Sequence, residues 1–297
     1  MDIVIPVEFE EIVDEITRYT GIPRNDVKLR TWQEAINFGW NVKVDISQFK
    51  VELHQYSEQM KRLYQEGTGL IFETLVSWAT PARQKWIQQA LERIQLFQSQ
   101  CGGKNIRILM LGDGAGNDSL FLAKHGLRVD YFDLPGSKTY EFAAKRFGGR
   151  GLLGERVRMV SNYAECLSGN YDVVVCFEVL EHVPEPVQTI RDLGQMLTLH
   201  GIALVTEAFG SVREDLPTHL RMNLRYEGKT PFLFLKNGMR LSWYSQTPRY
   251  KPMEFTKVER VNPAMYLELL EDGSVVKDLL RASMMPIIRR VRFWGSH

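Results

Sequence analysis

The 297-residue sequence predicts an α/β fold: a doubly wound parallel sheet preceded by a helical region. Three observations carry this. Between residues 106 and 206, short apolar runs alternate with helical patterns. The first run, Ile106 to Leu111, passes into glycines at every second position, Gly112, Gly114 and Gly116. The second run ends in Asp133, 17 residues after Gly116. Strand, glycine turn, helix, strand, acid is the front half of a unit that binds a nucleotide at the carboxyl ends of parallel strands.

Residues 1–103 show only helical spacing, and four or five helices are expected. Phe9, Ile12, Val13, Ile16 and Tyr19 share one face, and Gly21-Ile22-Pro23 ends the run. Leu53, Tyr56, Met60, Leu63 and Tyr64 make a second pattern. Leu70 to Ala79 is almost continuously apolar, a buried helix stopped by Pro81. A fourth pattern runs from Trp86 to Phe97, ended by Gly102-Gly103. This region is either a lid over a substrate or a packing element, a homodimer contact included. Trp32, Phe38, Trp40, Phe72 and Trp78 are either its core or a pocket wall, and His54 reads as a surface or helix-face residue and not as a ligand. Strands are then expected near 106–111, 128–132, 156–160, 171–177 and 202–206. Asn117-Asp118-Ser119 can cap the helix that stops at Gly126, and Pro186 opens the helix over 187–198. Helical segments near 265–270 and 275–280 follow, interrupted at Pro286.

The loop chemistry narrows the ligand. Glycines permit positive φ and close approach of a ligand to the backbone. The spacing is G-x-G-x-G, with Asn117 where a dinucleotide fingerprint has its next glycine. A diphosphate cradle is therefore incomplete, which favours a nucleoside without phosphates. Asp133 is placed to take both hydroxyls of a ribose.

Four stretches in this order, Leu111 to Gly116, Asp133, Tyr171 to Val183 and Gly201 to Glu207, resemble a class I S-adenosylmethionine-dependent methyltransferase. The resemblance covers roughly 106 to 260 and implies a Rossmann-like sheet with an antiparallel last strand, from a hairpin at 240–244 and 253–258. The implied division is a helical region 1–103, a cofactor-binding core 104–260 and an extension 261–297. It implies S-adenosyl-L-methionine as cofactor, its methionine part held by the glycine loop and its ribose by Asp133. Leu134 beside that acid, and Phe177 and Glu178 at the end of the strand facing the methyl group, complete the implied contacts. Two departures stand out. Met110 occupies a position that is usually acidic, and Ser161-Asn162-Tyr163-Ala164-Glu165 replaces the usual adenine-contacting Gly-Asp-Ala-Glu. Asn162 could still bond the adenine and Tyr163 stack on it. Asp113 either touches the cofactor's amino group or only shapes the turn.

The candidate chemistry sits in Glu178-Val179-Leu180-Glu181-His182. An acceptor hydroxyl must lose its proton, to a base or with a metal. His182 could be that base, as could His219 from the loop after the fifth strand. Alternatively, Glu178, Glu181, His182 and His219 could hold Mg²⁺, Mn²⁺ or Zn²⁺. The run is similar to E-x-x-E-H segments of metal-dependent ubiquinone-pathway O-methyltransferases and small-RNA 2′-O-methyltransferases. A third reading leaves His182 packing beside the cofactor. The expected activity is O-methylation of a small-molecule acceptor, with N-methylation or a non-catalytic binding protein as alternatives. A nicotinamide oxidoreductase would share the first half of the fold, but this chain lacks the third glycine of its fingerprint.

Composition bounds the partners. The net charge is +1, from 37 basic and 36 acidic residues, which opposes nucleic acid as the main partner. The Arg289, Arg290 and Arg292 cluster reads as a solvated face, or as a phosphate contact. Cys101, Cys166 and Cys176 show no paired spacing and suit a reducing, cytoplasmic setting. No leader pattern opens the chain, and no apolar run approaches a membrane span.

Overall fold

The computed structural model describes residues 9–246 and 249–294. Six helices precede the first strand: α1 (Phe9–Thr20), α2 (Arg24–Ile36), α3 (Trp40–Phe49), α4 (Glu58–Glu66), α5 (Gly69–Trp78) and α6 (Pro81–Gln100). The sequence predicts four or five; α2 and α3 carry no apolar periodicity because their inward positions include Thr31, Glu34, Asn41 and Asp45. Their polar groups are paired locally. Glu34 accepts the Asn41 amide N–H at 2.9 Å and the Asn41 Nδ2 at 2.8 Å, which fixes the turn between the two helices.

The sheet has seven strands in the order β3-β2-β1-β4-β5-β7-β6. They are β1 (Ile108–Leu111), β2 (Val129–Phe132), β3 (Val157–Met159), β4 (Tyr171–Phe177), β5 (Leu197–Thr206), β6 (Met239–Gln246) and β7 (Arg249–Lys257). β7 pairs antiparallel with both β5 and β6, while β1 to β5 are parallel. The order reverses between β1 and β4, and such a switch point opens a crevice at the carboxyl ends of the strands. This is the α/β architecture that the sequence predicts, antiparallel last strand included.

β1 is buried on both faces, as a central parallel strand must be. Leu109 and Leu111 enter one core, Ile108 and Met110 the other. On the first side pack α9 (Tyr163–Leu167), α10 (Pro186–Met196) and α11 (Thr230–Lys236). On the second pack α7 (Asn117–Lys124), α8 (Lys138–Gly149) and the apolar face of α6, through Ile87, Leu91 and Ile94. A third core joins α1, α2 and α5 to Ala115 and Phe142, so the helical layer is seated on the glycine loop. At the carboxyl end, α12 (Pro263–Glu271) is followed by α13 (Gly273–Trp294). α13 continues through Pro286, where the sequence predicts a break; a proline removes one hydrogen bond, and a helix can pass it. The side chains of the Arg289, Arg290 and Arg292 cluster, and residues 295–297, lie outside the described residues. Among the described residues no helix is long and apolar enough to cross a membrane.

Gly116 shows why the loop needs glycine. Its φ is 77°, and a Cβ there would stand 2.5 Å from Phe147 Cζ. Gly116→Ala is expected to cost about 2–4 kcal/mol of stability, from backbone strain plus overpacking. Thermal denaturation checks this, and an unchanged Tm contradicts it.

Candidate active site

The crevice lies at the carboxyl ends of β1, β2 and β4 and under the helical layer. It encloses a cavity of about 570 Å³. Leu111, Gly112, Gly114, Asp133, Phe177 and Glu178 form its floor, and Tyr64, Leu70, Glu73, Thr74 and Trp78 its roof. A second hollow of about 550 Å³ lies at the other edge of the sheet, among Arg107, Arg128 and Arg156 at the strands' amino ends. Ligands of open α/β sheets bind at the carboxyl ends, so the first cavity is the functional candidate.

The glycine loop is held from both sides. Asp113 caps α7 from a distance: its Oδ1 accepts the Asp118 N–H at 3.0 Å and its Oδ2 accepts that of Ser119 at 2.7 Å. Asn117, Asp118 and Ser119 therefore lie inside the helix, and the capping carboxylate comes from the turn. Burial, and then Asp118, push the Asp113 carboxyl up to about 7. Asp118 is paired with Arg83 of α6 and accepts Trp78 Nε1–H at 3.1 Å. At the end of β2, Asp133 accepts the Gly114 N–H with one oxygen and the Leu134 N–H, at 2.6 Å, with the other. Burial raises its carboxyl above the usual range. Two backbone donors leave lone pairs on the same carboxylate for a ligand.

At the end of β4 the chain turns sharply. Glu178 has a φ of 54°, a conformation that L residues rarely adopt. Its N–H donates to Thr206 Oγ1 at 3.0 Å. Its Oε1 stands 2.9 Å from Lys251 Nζ of β7. Burial acts to raise the Glu178 carboxyl, but the Lys251 ammonium, the Thr206 hydroxyl and His219 together outweigh it and hold it below the usual range. Lys251 in turn is held above its usual value, because Glu178, Glu181 and Glu207 outweigh its desolvation.

Behind this pair, Glu181, His182 and His219 each present a ligand atom, and these atoms lie within 4.8 Å of one another. The two imidazoles meet edge to face at 4.7 Å. His219 is placed by its loop. Its N–H donates to Leu216 O, and its carbonyl oxygen stands 3.0 Å from His54 Nδ1. His54 is therefore a buried clamp on that loop and not the surface or helix-face residue that the sequence predicts. His182 Nδ1 lies 3.2 Å from Thr218 O and 3.4 Å from the Tyr64 hydroxyl. Among the described residues neither carboxylate oxygen of Glu181 has a hydrogen-bond partner, and neither has His219 Nδ1, although all three are buried. Burial, then Glu178, lift the Glu181 carboxyl well above its usual value. Burial lowers His182, and burial and His182 lower His219 to about 3.

A family described as a methyltransferase domain matches residues 83–249, more than half of the chain. The chain belongs to this family. Its sheet is the Rossmann-like one that the resemblance to class I, S-adenosylmethionine-dependent methyltransferases implies. It is similar to the ubiquinone biosynthesis O-methyltransferases of Sodalis glossinidius (30% identical over 95 residues, 32% of this chain and 37% of that protein) and of Xanthomonas axonopodis pv. citri (29% over 105 residues, 35% and 44%). The match thus spans less than half the length of either relative. An O-methyltransferase family protein from Burkholderia thailandensis is 14% identical, with a TM-score of 0.48 over 84% of this chain and 73% of that one.

Within this methyltransferase crevice the structure gathers most of the residues named from sequence. Gly112, Asp113, Gly114, Asp133, Leu134 and Tyr163 line the cavity, as do Phe177, Glu178, His182 and His219. Gly116 does not; it starts α7 behind the loop. Asn162 is not brought to the cavity either. It is exposed, and its Oδ1 accepts the Ala164 N–H at 2.9 Å as the cap of α9. Glu178 stands apart from the three-residue donor cluster, because Lys251 takes its carboxylate. Sequence reasoning misses Tyr64, Glu73, Arg83 and Lys251. Glu73 does leave a signal, as the one acid inside the apolar α5 segment. Lys251 leaves none, being 73 residues from its partner.

Proposed function

We propose that the chain transfers the methyl group of S-adenosylmethionine to a hydroxyl of a small-molecule acceptor, and that Glu181, His182 and His219 hold a divalent cation beside the transfer point. One observation carries this: three buried, unpartnered donor atoms on two neighbouring residues, Glu181 and His219, with His182 completing the set. Leaving such groups unpaired costs about 1–3 kcal/mol each, a cost that a bound cation offsets. One carboxylate and two imidazoles suit Zn²⁺, Mn²⁺ or Mg²⁺, with positions left over for an acceptor oxygen.

The cofactor supplies a methyl group on a sulfonium; the acceptor oxygen forms the new C–O bond, the C–S bond breaks with its electron pair staying on sulfur, and a proton leaves the acceptor. Asp133 holds the ribose hydroxyls, and Gly112 and Gly114 let the methionine part lie against the backbone. Tyr163 and Phe132, with ring centroids 5.4 Å apart, offer an apolar edge for the adenine. The Arg83 Nη1 is buried at the cavity wall without a partner among the described residues, which suits the cofactor's carboxylate. A cation on the three donors would act as a Lewis acid on the acceptor oxygen. The helical roof excludes water from the crevice, and the His182–His219 wall orients the acceptor.

The test is acceptor-dependent formation of S-adenosylhomocysteine, measured with hydroxyl and amine panels on EDTA-treated protein, with Mg²⁺, Mn²⁺ or Zn²⁺ added back. Turnover of a hydroxyl acceptor, lost on chelation and restored by one cation, is expected. Full activity after chelation would remove the cation and leave an imidazole as base. Turnover of amines alone would overturn the oxygen assignment.

A further inference from the structure

The roof of the cavity carries an acid that this chemistry does not use. α5 is apolar along most of its length, and Glu73 stands in its middle. The residue lines the cavity, yet its Oε2 is shielded from solvent and has no hydrogen-bond partner among the described residues. Burial, then Glu34 and Asp215, push its carboxyl up to about 8, and no basic side chain is among the groups that bias it. An acid in this setting is costly to stability, and an apolar residue would fit the helix better.

Its position separates it from the cofactor. The next residue, Thr74, faces the glycine loop: a Cβ on Gly114 would stand 3.1 Å from Thr74 Cγ2. Successive helix residues diverge by about 100°. Glu73 is thereby turned away from the Gly114 side of the crevice, and the charges that reach it are those of Glu34 and Asp215. Tyr64 is within electrostatic reach of Glu73, whose charge raises its hydroxyl, and that hydroxyl stands 3.4 Å from His182 Nδ1. Phe38, Tyr56 and Leu216 supply apolar wall around this part of the cavity.

We propose that Glu73 recognises the acceptor: its unpaired carboxyl takes a hydrogen bond from a donor group, a hydroxyl or a protonated amine, carried on an apolar frame away from the oxygen that is methylated. The proposal rests on the methyl-transfer reading of the cavity. It makes the acceptor bifunctional, with one polar group at the donor cluster and a second at the roof. A ligand lacking the second group leaves the carboxyl buried and unmatched, which is how a polar site discriminates strongly.

The test uses full-length protein saturated with S-adenosylhomocysteine, as wild type, E73Q and E73L. The probes are hydroquinone, 4-(aminomethyl)phenol and 4-methylphenol, titrated calorimetrically. Wild type is expected to bind one of the first two about tenfold or more tighter than 4-methylphenol. In E73L that preference should collapse to within about twofold, with unchanged S-adenosylhomocysteine affinity and a Tm that is equal or higher. E73Q distinguishes the sources, since an amide still accepts from a hydroxyl but loses most of its hold on an ammonium. An unchanged preference in E73L, a parallel loss of cofactor affinity, or a wild type that does not discriminate among the three probes would each overturn the proposal. Because binding is read without turnover, failure of the methyl-transfer reading shows separately, in the product assay.

Discussion

Replacing Asp133 with alanine is expected to weaken S-adenosylhomocysteine binding by roughly 30- to 1000-fold, about 2–4 kcal/mol, from the loss of two charge-assisted hydrogen bonds to ribose hydroxyls. The expectation follows from how the carboxylate is held. Its two oxygens accept the Gly114 and Leu134 N–H groups, which fix its direction at the mouth of the crevice. Each oxygen keeps a lone pair for a ligand donor. The substitution also frees the Gly114 N–H, so Tm must be measured alongside affinity. Asp133→Asn separates the two effects, because it keeps the shape and removes one acceptor. A change of less than about threefold in either variant would place the ribose elsewhere.

His219→Ala is expected to lower turnover by at least about 100-fold while leaving cofactor affinity within about threefold. The imidazole is the part of the donor cluster supplied by the loop after β5, and that loop is fixed by His54 and by the Leu220 N–H to Glu181 O bond at 2.9 Å. The alanine variant should therefore keep its loop and lose only the donor. Loss of a cation ligand and loss of a base both abolish turnover, and add-back separates them. A variant that has lost a ligand responds to a large excess of the cation, whereas one that has lost a base does not. Near-normal turnover would remove His219 from either role.

Much of the crevice is legible in the sequence because its parts are local. A glycine loop between an apolar run and a helix, an acid at the next strand's end, and an E-x-x-E-H run after a buried strand are each contained within a few residues. β4 occupies Tyr171–Phe177, the span that the sequence predicts, since from Val173 to Phe177 both of its faces are buried and the apolar run is unbroken. Where the fold departs, the determinant is non-local or polar. α2 and α3 bury Glu34, Asn41 and Asp45 against backbone groups, so apolar periodicity passes over them. Asn162 offers the same sequence signal whether it meets a ligand or caps α9. Glu178 resembles a ligand until β7 brings Lys251 to it. Met110, where an acid is more usual, is 2% exposed and packs among the apolar residues under α6, so at this position the strand contributes to the core and not to the crevice.

The crevice between the helical roof and the strand ends is built for a nucleoside without a diphosphate cradle. The experiment that addresses this is calorimetric titration with S-adenosylhomocysteine, with NAD as control and EDTA-treated protein in parallel. Micromolar binding of S-adenosylhomocysteine, with and without chelator, and none of NAD is the result predicted. Binding of NAD, or no binding of S-adenosylhomocysteine by any sample, would contradict it.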